Sequence, residues 1–186
     1  MPSVAGWGSP PSHSKEVQRL LPPNNFTPAG VVEWVKHSPT VPPFINSSRR
    51  SRGRRRAGEM YETKVQRWLE NEFEGNYLPS PWFYFKAVGS EKVRWCQPDG
   101  LLFDFQSGLI TIVEVKLQHT AAAWWQVKLL YFPLVAQVFP PDLWKYTFVE
   151  IVKWYDKDTL FPERVQLLPH LALAEENRFG VHILKP

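Results

Sequence analysis

The sequence predicts an α/β chain: a mixed central β-sheet flanked by helices, with elements in the order helix, strand, strand, strand, helix, strand. Three observations predict it. Two short apolar runs, 101–105 and 109–115, are separated by Gln106-Ser107-Gly108, a β-hairpin signal. Residues 59–73 bring Tyr61, Val65, Trp68, Leu69 and Phe73 onto one stripe at helical spacing. A second helix-like stretch, 121–132, is followed by a β-forming run at 146–152, and strand–helix–strand order favours a parallel crossover.

Taken in order, residues 1–47 are rich in Pro, Ser and Asn, with Pro-Pro at 10–11, 22–23 and 42–43, and read as extended or irregular chain. One amphipathic piece, 30–35, is suited to pack on the core or on a partner. The first 57 residues carry nine Lys/Arg against two Glu, whereas the rest carry thirteen against sixteen Asp/Glu. The basic excess lies in Arg49, Arg50, Arg52, Arg54, Arg55 and Arg56. Such a block is a phosphate-binding arm, or a nuclear-import-like signal in a eukaryotic host; a solvated, self-repelling linker is the plainer reading. Residues 1–57 therefore form an N-terminal arm and 58–186 a core domain.

The helix at 59–73 is closed by Gly75. Glu62 falls inside its apolar stripe, where a carboxylate is costly unless paired. Either it reaches out to solvent or it faces the hairpin. Glu72, on the same stripe but near the helix end, is expected to escape to water. Residues 82–88 read as a strand that 92–95 extends or edges. Thr120 is a helix N-cap candidate. The helix after it is apolar nearly all round, with only Gln126 and Lys128 polar, so it is either deeply buried or in an interface. Pro133 is expected to end or kink it. The apolar region 121–139 is accordingly where an oligomer or protein partner would dock. Trp124 and Trp125 are candidates to stack on exposed bases or, more commonly, to be buried. The tail reads as a helix at 171–177, Gly180 as a stop and a strand at 181–184.

The hairpin carries charge at the end far from its turn. With Ser107-Gly108 as a two-residue turn, Asp99, Leu101, Phe103, Phe105, Ile110, Ile112, Glu114 and Lys116 share one face. Asp99 and Glu114 become diagonal neighbours, about 7–8 Å apart at the backbone. Two converging carboxylates suit a hard divalent cation such as Mg²⁺, and Lys116 stands beside them. An odd loop length would move Glu114 and Lys116 to the other face.

Pro98-Asp99 followed by Glu114-Val115-Lys116 resembles the PD-(D/E)xK phosphodiesterase superfamily, the restriction-endonuclease-like nucleases. The resemblance covers residues 58–152. It implies a restriction-endonuclease-like core, Mg²⁺ (or Mn²⁺) held by Asp99, Glu114 and the Val115 carbonyl, and Lys116 assisting attack of water on phosphorus. It also implies that Glu62, on the first core helix, helps hold the metal directly or through water. DNA is the implied substrate, with a 5′-phosphate product end. RecB-type members carry a Gln and a Tyr separated by three residues; here Gln126 and Tyr131 have four between them, so that pattern is not matched. Gln126 and His119 remain candidates to reach the site.

Other chemistries are disfavoured. Cys96 stands alone and the five histidines show no paired spacing, against a disulfide framework or a zinc site. No Gly-rich phosphate loop and no nucleophile elbow occurs. No signal peptide or membrane span is apparent, so a cytoplasmic, reducing location is expected, or the nucleus in a eukaryote. The expected activity is divalent-metal-dependent hydrolysis of DNA phosphodiester bonds. Beside it stands a non-catalytic nucleic-acid-binding or protein-interaction module, in which Asp99 and Lys116 form a structural salt bridge.

Overall fold

A computed structural model describes residues 22–23, 25–45, 52–171 and 174–186. Among the described residues, nine strands form two sheets. The larger contains β2 (Tyr77–Pro79), β5 (Gly100–Asp104), β6 (Leu109–Gln118), β7 (Lys145–Trp154), β9 (Phe179–Ile183) and β8 (Gln166–Leu168), in that spatial order. The smaller contains β1 (Val32–Ser38), β3 (Trp82–Ala87) and β4 (Val93–Cys96), all antiparallel. β6 runs parallel to β7, as strand–helix–strand order predicts, and β5 antiparallel to β6. The molecule is thus α/β with a mixed central sheet flanked by helices.

Helix α1 (Gly53–Glu72) begins six residues before the expected start and takes Arg54, Arg55 and Arg56 into its first turn. Arg52 is its N-cap; Arg49 and Arg50 lie outside the described residues. Tyr61, Val65 and Leu69 are buried against Leu102, Val113, Val115, Val149 and Ile151 on one face of the large sheet. Glu72 is exposed, as expected, with His170 Nε2 3.9 Å away. The opposite sheet face presents Leu101, Ile110, Ile112, Phe148 and Val152 to the second helical region. That region is α2 (Ala121–Trp125), a π-helical turn (Gln126–Tyr131) and α3 (Phe132–Val138). Thr120 caps it, its side chain accepting the Ala122 N–H at 3.3 Å.

Several sequence expectations need correction. Pro133 does not end the helical path; it stands in the first turn of α3, where a missing N–H costs little. The apolar 121–139 region is not an open docking surface. Phe83, Phe85 and Cys96 of the small sheet, with Ala29, share its core, and the Ala29 N–H bonds Leu129 O at 2.9 Å. Trp124 and Trp125 pack edge to face at 4.8 Å rather than standing free. The run at 82–88 forms β3, but pairs with β1 and β4; the large sheet's extra strand is β2, too short to show in sequence. Residues 174–178 are non-helical, and Gly180 lies inside β9 instead of stopping an element. It does so because a Cβ there would sit 2.3 Å from Leu168 Cδ1 on β8.

The hairpin register also differs. Gly100 pairs with Val113, Leu101 with Ile112 and Asp104 with Leu109, leaving a four-residue loop rather than two. Asp104 explains the longer loop: its carboxylate accepts the Gln106 and Ser107 N–H groups and the Ser107 hydroxyl. The loop count stays even, so the facing of Asp99, Glu114 and Lys116 survives. Phe105 moves into the loop and is exposed.

Candidate metal centre

β6 outruns β5. Pairing ends at Gly100–Val113, so residues 114–118 of β6 have no antiparallel neighbour on that edge. Extending the register sets Asp99 directly across from Glu114, closer than the diagonal placement expected from sequence. Asp99 Oδ2 accepts the Val115 N–H at 2.6 Å. In a strand, a residue's N–H and C=O point to the same edge. The Val115 carbonyl therefore opens on the side where Asp99 sits.

Glu114 is 1% exposed. Its Oε1 pairs with Lys116 Nζ, and its Oε2 is buried with no hydrogen-bond partner. Burial, with Asp99 beside it, pushes the Glu114 pKa up to about 8 despite Lys116. Burial likewise raises Asp99, against the opposing pull of the Val115 N–H and Lys116. Burial would lower Lys116, but the carboxylates of Glu114, Asp99 and Glu150 outweigh it and the pKa is raised. Lys116 is thus a firm cation, not a ready base.

Glu62 does face this cluster. Burial first and then the charge of Asp99 raise its pKa to about 7, against the pull of Lys116. Gln66 Nε2 reaches Glu62 Oε1 at 3.3 Å and Ser80 Oγ at 2.7 Å, and the Ser80 N–H bonds Asp99 O at 3.1 Å. α1 is thereby tied to the β5 entry.

The Tyr77 hydroxyl donates to Asp99 O at 3.1 Å, and its ring lies flat on Gly100. A Cβ at Gly100 would meet that ring at 2.3 Å. Gly100→Ala is expected to displace Tyr77 and loosen Asp99, destabilising the fold by about 1–3 kcal/mol. Chemical denaturation measures it, and Tyr77→Ala in the same chain should recover part of the loss.

Four carboxylates (Glu62, Asp99, Glu114, Glu150) therefore crowd around one lysine. For acids whose folded pKa lies above the unfolded one, the neutral form is favoured on folding, so their stabilising share is present at low pH and lost as pH rises. Without metal, the melting temperature should fall as pH climbs from about 4.5 through about 8. Scanning calorimetry in EDTA reads this directly.

Tyr131 is 5% exposed, and burial together with Glu114 and Asp99 raises its pKa well above normal. Gln126 Nε2 lies 3.5 Å from its hydroxyl. The helix reaches this arrangement by widening: the Phe132 N–H bonds Val127 O, five residues back. A π turn places residues i and i+5 where an α turn places i and i+4. The extra residue between Gln126 and Tyr131 is absorbed, and both line the same face. Spacing counted along the sequence on an α-helical ruler hid this.

His119 meets the carboxylate cluster at Glu150, not at the Asp99–Glu114 pair. It is 4% exposed, between Tyr155 and Phe161, with Nδ1 2.5 Å from Glu150 Oε2. Sequence reasoning missed Glu150, which pairs with Glu114 across β6 and β7 and is 0% exposed. Its other oxygen accepts the Thr120 N–H at 3.1 Å, holding the start of the helical region. A charged residue amid Phe-Val and Ile-Val was the available signal. A cavity of about 570 Å³ opens beside Gln118, His119 and Thr120, at the C-terminal ends of the parallel strands.

Among the described residues no three or more His, Cys, Asp or Glu side chains form a ready metal cage. Asp99 and Glu114 with one carbonyl are instead an open oxygen set of the kind Mg²⁺ uses while keeping several waters. The orphaned Glu114 Oε2 and the surplus of carboxylates fit a divalent cation. No family model, curated protein or solved structure matches this chain. No helix among the described residues is long and apolar enough to cross a membrane.

Proposed function

We propose that this protein is a divalent-metal-dependent nuclease that hydrolyses DNA phosphodiester bonds, in the manner of PD-(D/E)xK enzymes. The observation that carries the reading is the buried Asp99–Glu114 pair, one oxygen unpartnered, set against Lys116 on a sheet edge where backbone pairing has ended. Asp99, Glu114 and the Val115 carbonyl would hold Mg²⁺ or Mn²⁺, with Glu62 in support. The ion, when bound, supplies a Lewis acid that neutralises charge on the scissile phosphate and acidifies water.

The chain's own groups divide the remaining work. Lys116, which stands beside Glu114, would offset negative charge building on the phosphate oxygens. Glu62, which faces the cluster from α1, would accept the proton of the attacking water. The water oxygen bonds to phosphorus as the P–O3′ bond breaks; the departing O3′ takes a proton from solvent water to become a 3′-hydroxyl, and the phosphate stays on the 5′-oxygen of the other fragment. Tyr131 stands beside Glu114 from the helix, and Gln126 reaches the Tyr131 hydroxyl.

The Lys116–Glu114 ion pair favours one competing reading, a non-catalytic nucleic-acid-binding module in which these charges only pair. Incubation with linear duplex, single-stranded and branched DNA separates the two. Mg²⁺- or Mn²⁺-dependent cleavage, lost in Asp99→Ala and Lys116→Ala proteins that remain folded, is the expected result. Cleavage unchanged in these variants would falsify the assignment, and its absence from the unaltered protein leaves the binding module.

A further inference from the structure

The small sheet has an outer face that neither hydrophobic core uses. Along β3, Phe83 and Phe85 point inward and are buried, so Trp82 and Tyr84 point outward. The register aligns Trp34 and Lys36 of β1 and Trp95 of β4 with them: Tyr84 lies opposite both Lys36 and Trp95. Trp34, Trp82, Tyr84 and Trp95 belong to neither core cluster and pack on one another instead. Tyr84 stacks on Trp95 at 4.9 Å, Trp34 meets Tyr84 edge-on at 5.8 Å, and Trp82 meets Trp95 at 6.4 Å. All four are partly exposed. Four large aromatics on an outward sheet face are a platform, and among the described residues Phe44 is the apolar side chain that meets it from outside the sheet.

The charge around the platform says what covers it. Lys36 is exposed, with Nζ 5.9 Å from the Trp34 ring, and Lys86 shares this face, paired with Glu33 at 3.2 Å. Phe44, on the chain leaving β1, stands edge-on to Trp95 at 5.9 Å. Arg54, Arg55 and Arg56, in the first turn of α1, are exposed, and Arg55 pairs with Glu59 at 3.0 Å. The first turn itself holds no acidic residue, although cations at a helix N-terminus work against the helix dipole. A polyanion relieves that conflict. The platform also leads to the candidate metal centre: Trp95 precedes Asp99 by four residues, at most about 14 Å of chain. Trp82 follows Ser80, whose N–H holds Asp99 O.

We propose that this face binds a single-stranded polynucleotide, its bases stacked on Trp34, Tyr84 and Trp95 and its phosphates met by Lys36 and the α1 arginines. Stacking needs unpaired bases, which a duplex does not offer. The inference stands on residues separate from the metal centre. If the nuclease reading holds, it further names the substrate as DNA with a single-stranded stretch next to the cleaved bond.

The test uses the full chain in EDTA, so that turnover plays no part, and fluorescein-labelled dT30, rU30 and a duplex of equal length. Tight binding of dT30 or rU30 in preference to duplex is expected, the tighter of the two telling which strand chemistry the face takes. Trp34→Ala and Trp95→Ala should each weaken it about tenfold or more. Lys36→Glu, at an exposed site that leaves the fold untouched, should weaken it several-fold and make the salt dependence shallower. Binding without cleavage in any metal supports this inference while removing the nuclease. Equal affinity in the three platform variants overturns it, as does duplex bound as tightly as single strand. Platform variants that bind normally but dissociate a dimer on size-exclusion chromatography also overturn it, and name a second copy as the occupant.

Discussion

Glu114→Gln is expected to abolish Mg²⁺-dependent DNA cleavage, by at least about 10³-fold, while the metal-free protein melts higher than before. The two effects share one origin. Glu114 is held where burial and Asp99 both oppose its charge, and only Lys116 and a bound cation favour it. A neutral amide removes the repulsion with almost no change in shape, so the apo fold gains stability, about 2–4 °C for each kcal/mol recovered in a chain of this size. The same amide is a poor ligand for a hard cation. Thermal melts in EDTA and in Mg²⁺ make the comparison quantitative. The unaltered protein should gain more from Mg²⁺ at pH 8 than at pH 5.5, because protonated carboxylates do not bind metal. In the variant that gain should vanish. A variant that melts lower in EDTA, or still responds to Mg²⁺, contradicts the proposed role of the buried carboxylate.

Glu150→Ala is expected to cost about 3 kcal/mol or more of stability, the largest effect of any single polar replacement in this chain. Both Glu150 oxygens are used: Oε2 with His119 Nδ1 at 2.5 Å, Oε1 with the Thr120 N–H at 3.1 Å. Removing the carboxylate strands both partners away from water and leaves a void in a strand that is 0% exposed at that point. It also unfastens the helical region at its first residue, so Gln126 and Tyr131 lose their fixed aim. Urea denaturation gives the stability change. His119→Ala in the Glu150→Ala background should cost much less than His119→Ala alone, because the two side chains act as one unit.

The sequence carried the hairpin and its charges because period-2 patterning and a strictly even loop were enough to set facing, even though the loop opens two residues earlier than expected. Asp104 escaped notice since its capping of the loop depends on a local hydrogen-bond pattern, not on periodicity. β6, β7 and their parallel pairing followed from long apolar runs. β2 and β8, at three residues each, did not, for so short a segment has no period to read. The early start of α1 was hidden by arginines, which mark solvent but say nothing against helix. Among the candidate site residues, Asp99, Glu114, Lys116 and Glu62 do converge, whereas His119 belongs to Glu150. Tyr131 was set aside for its spacing, and the pairing of the small sheet, whose strands β1 and β3 begin 50 residues apart at Val32 and Trp82, lay beyond any local reading.

The wide turn at Gln126–Tyr131 makes this the one place in the helical region with a residue to spare. Excising one residue from 127–130 lets the turn relax to ordinary helical pitch, with the Gln and Tyr four apart and still in line, and no downstream side chain rotated off its face. The same excision from β6 would turn every later side chain over. Length variation among descendants of this chain should therefore gather at that turn and be rejected by the neighbouring strand.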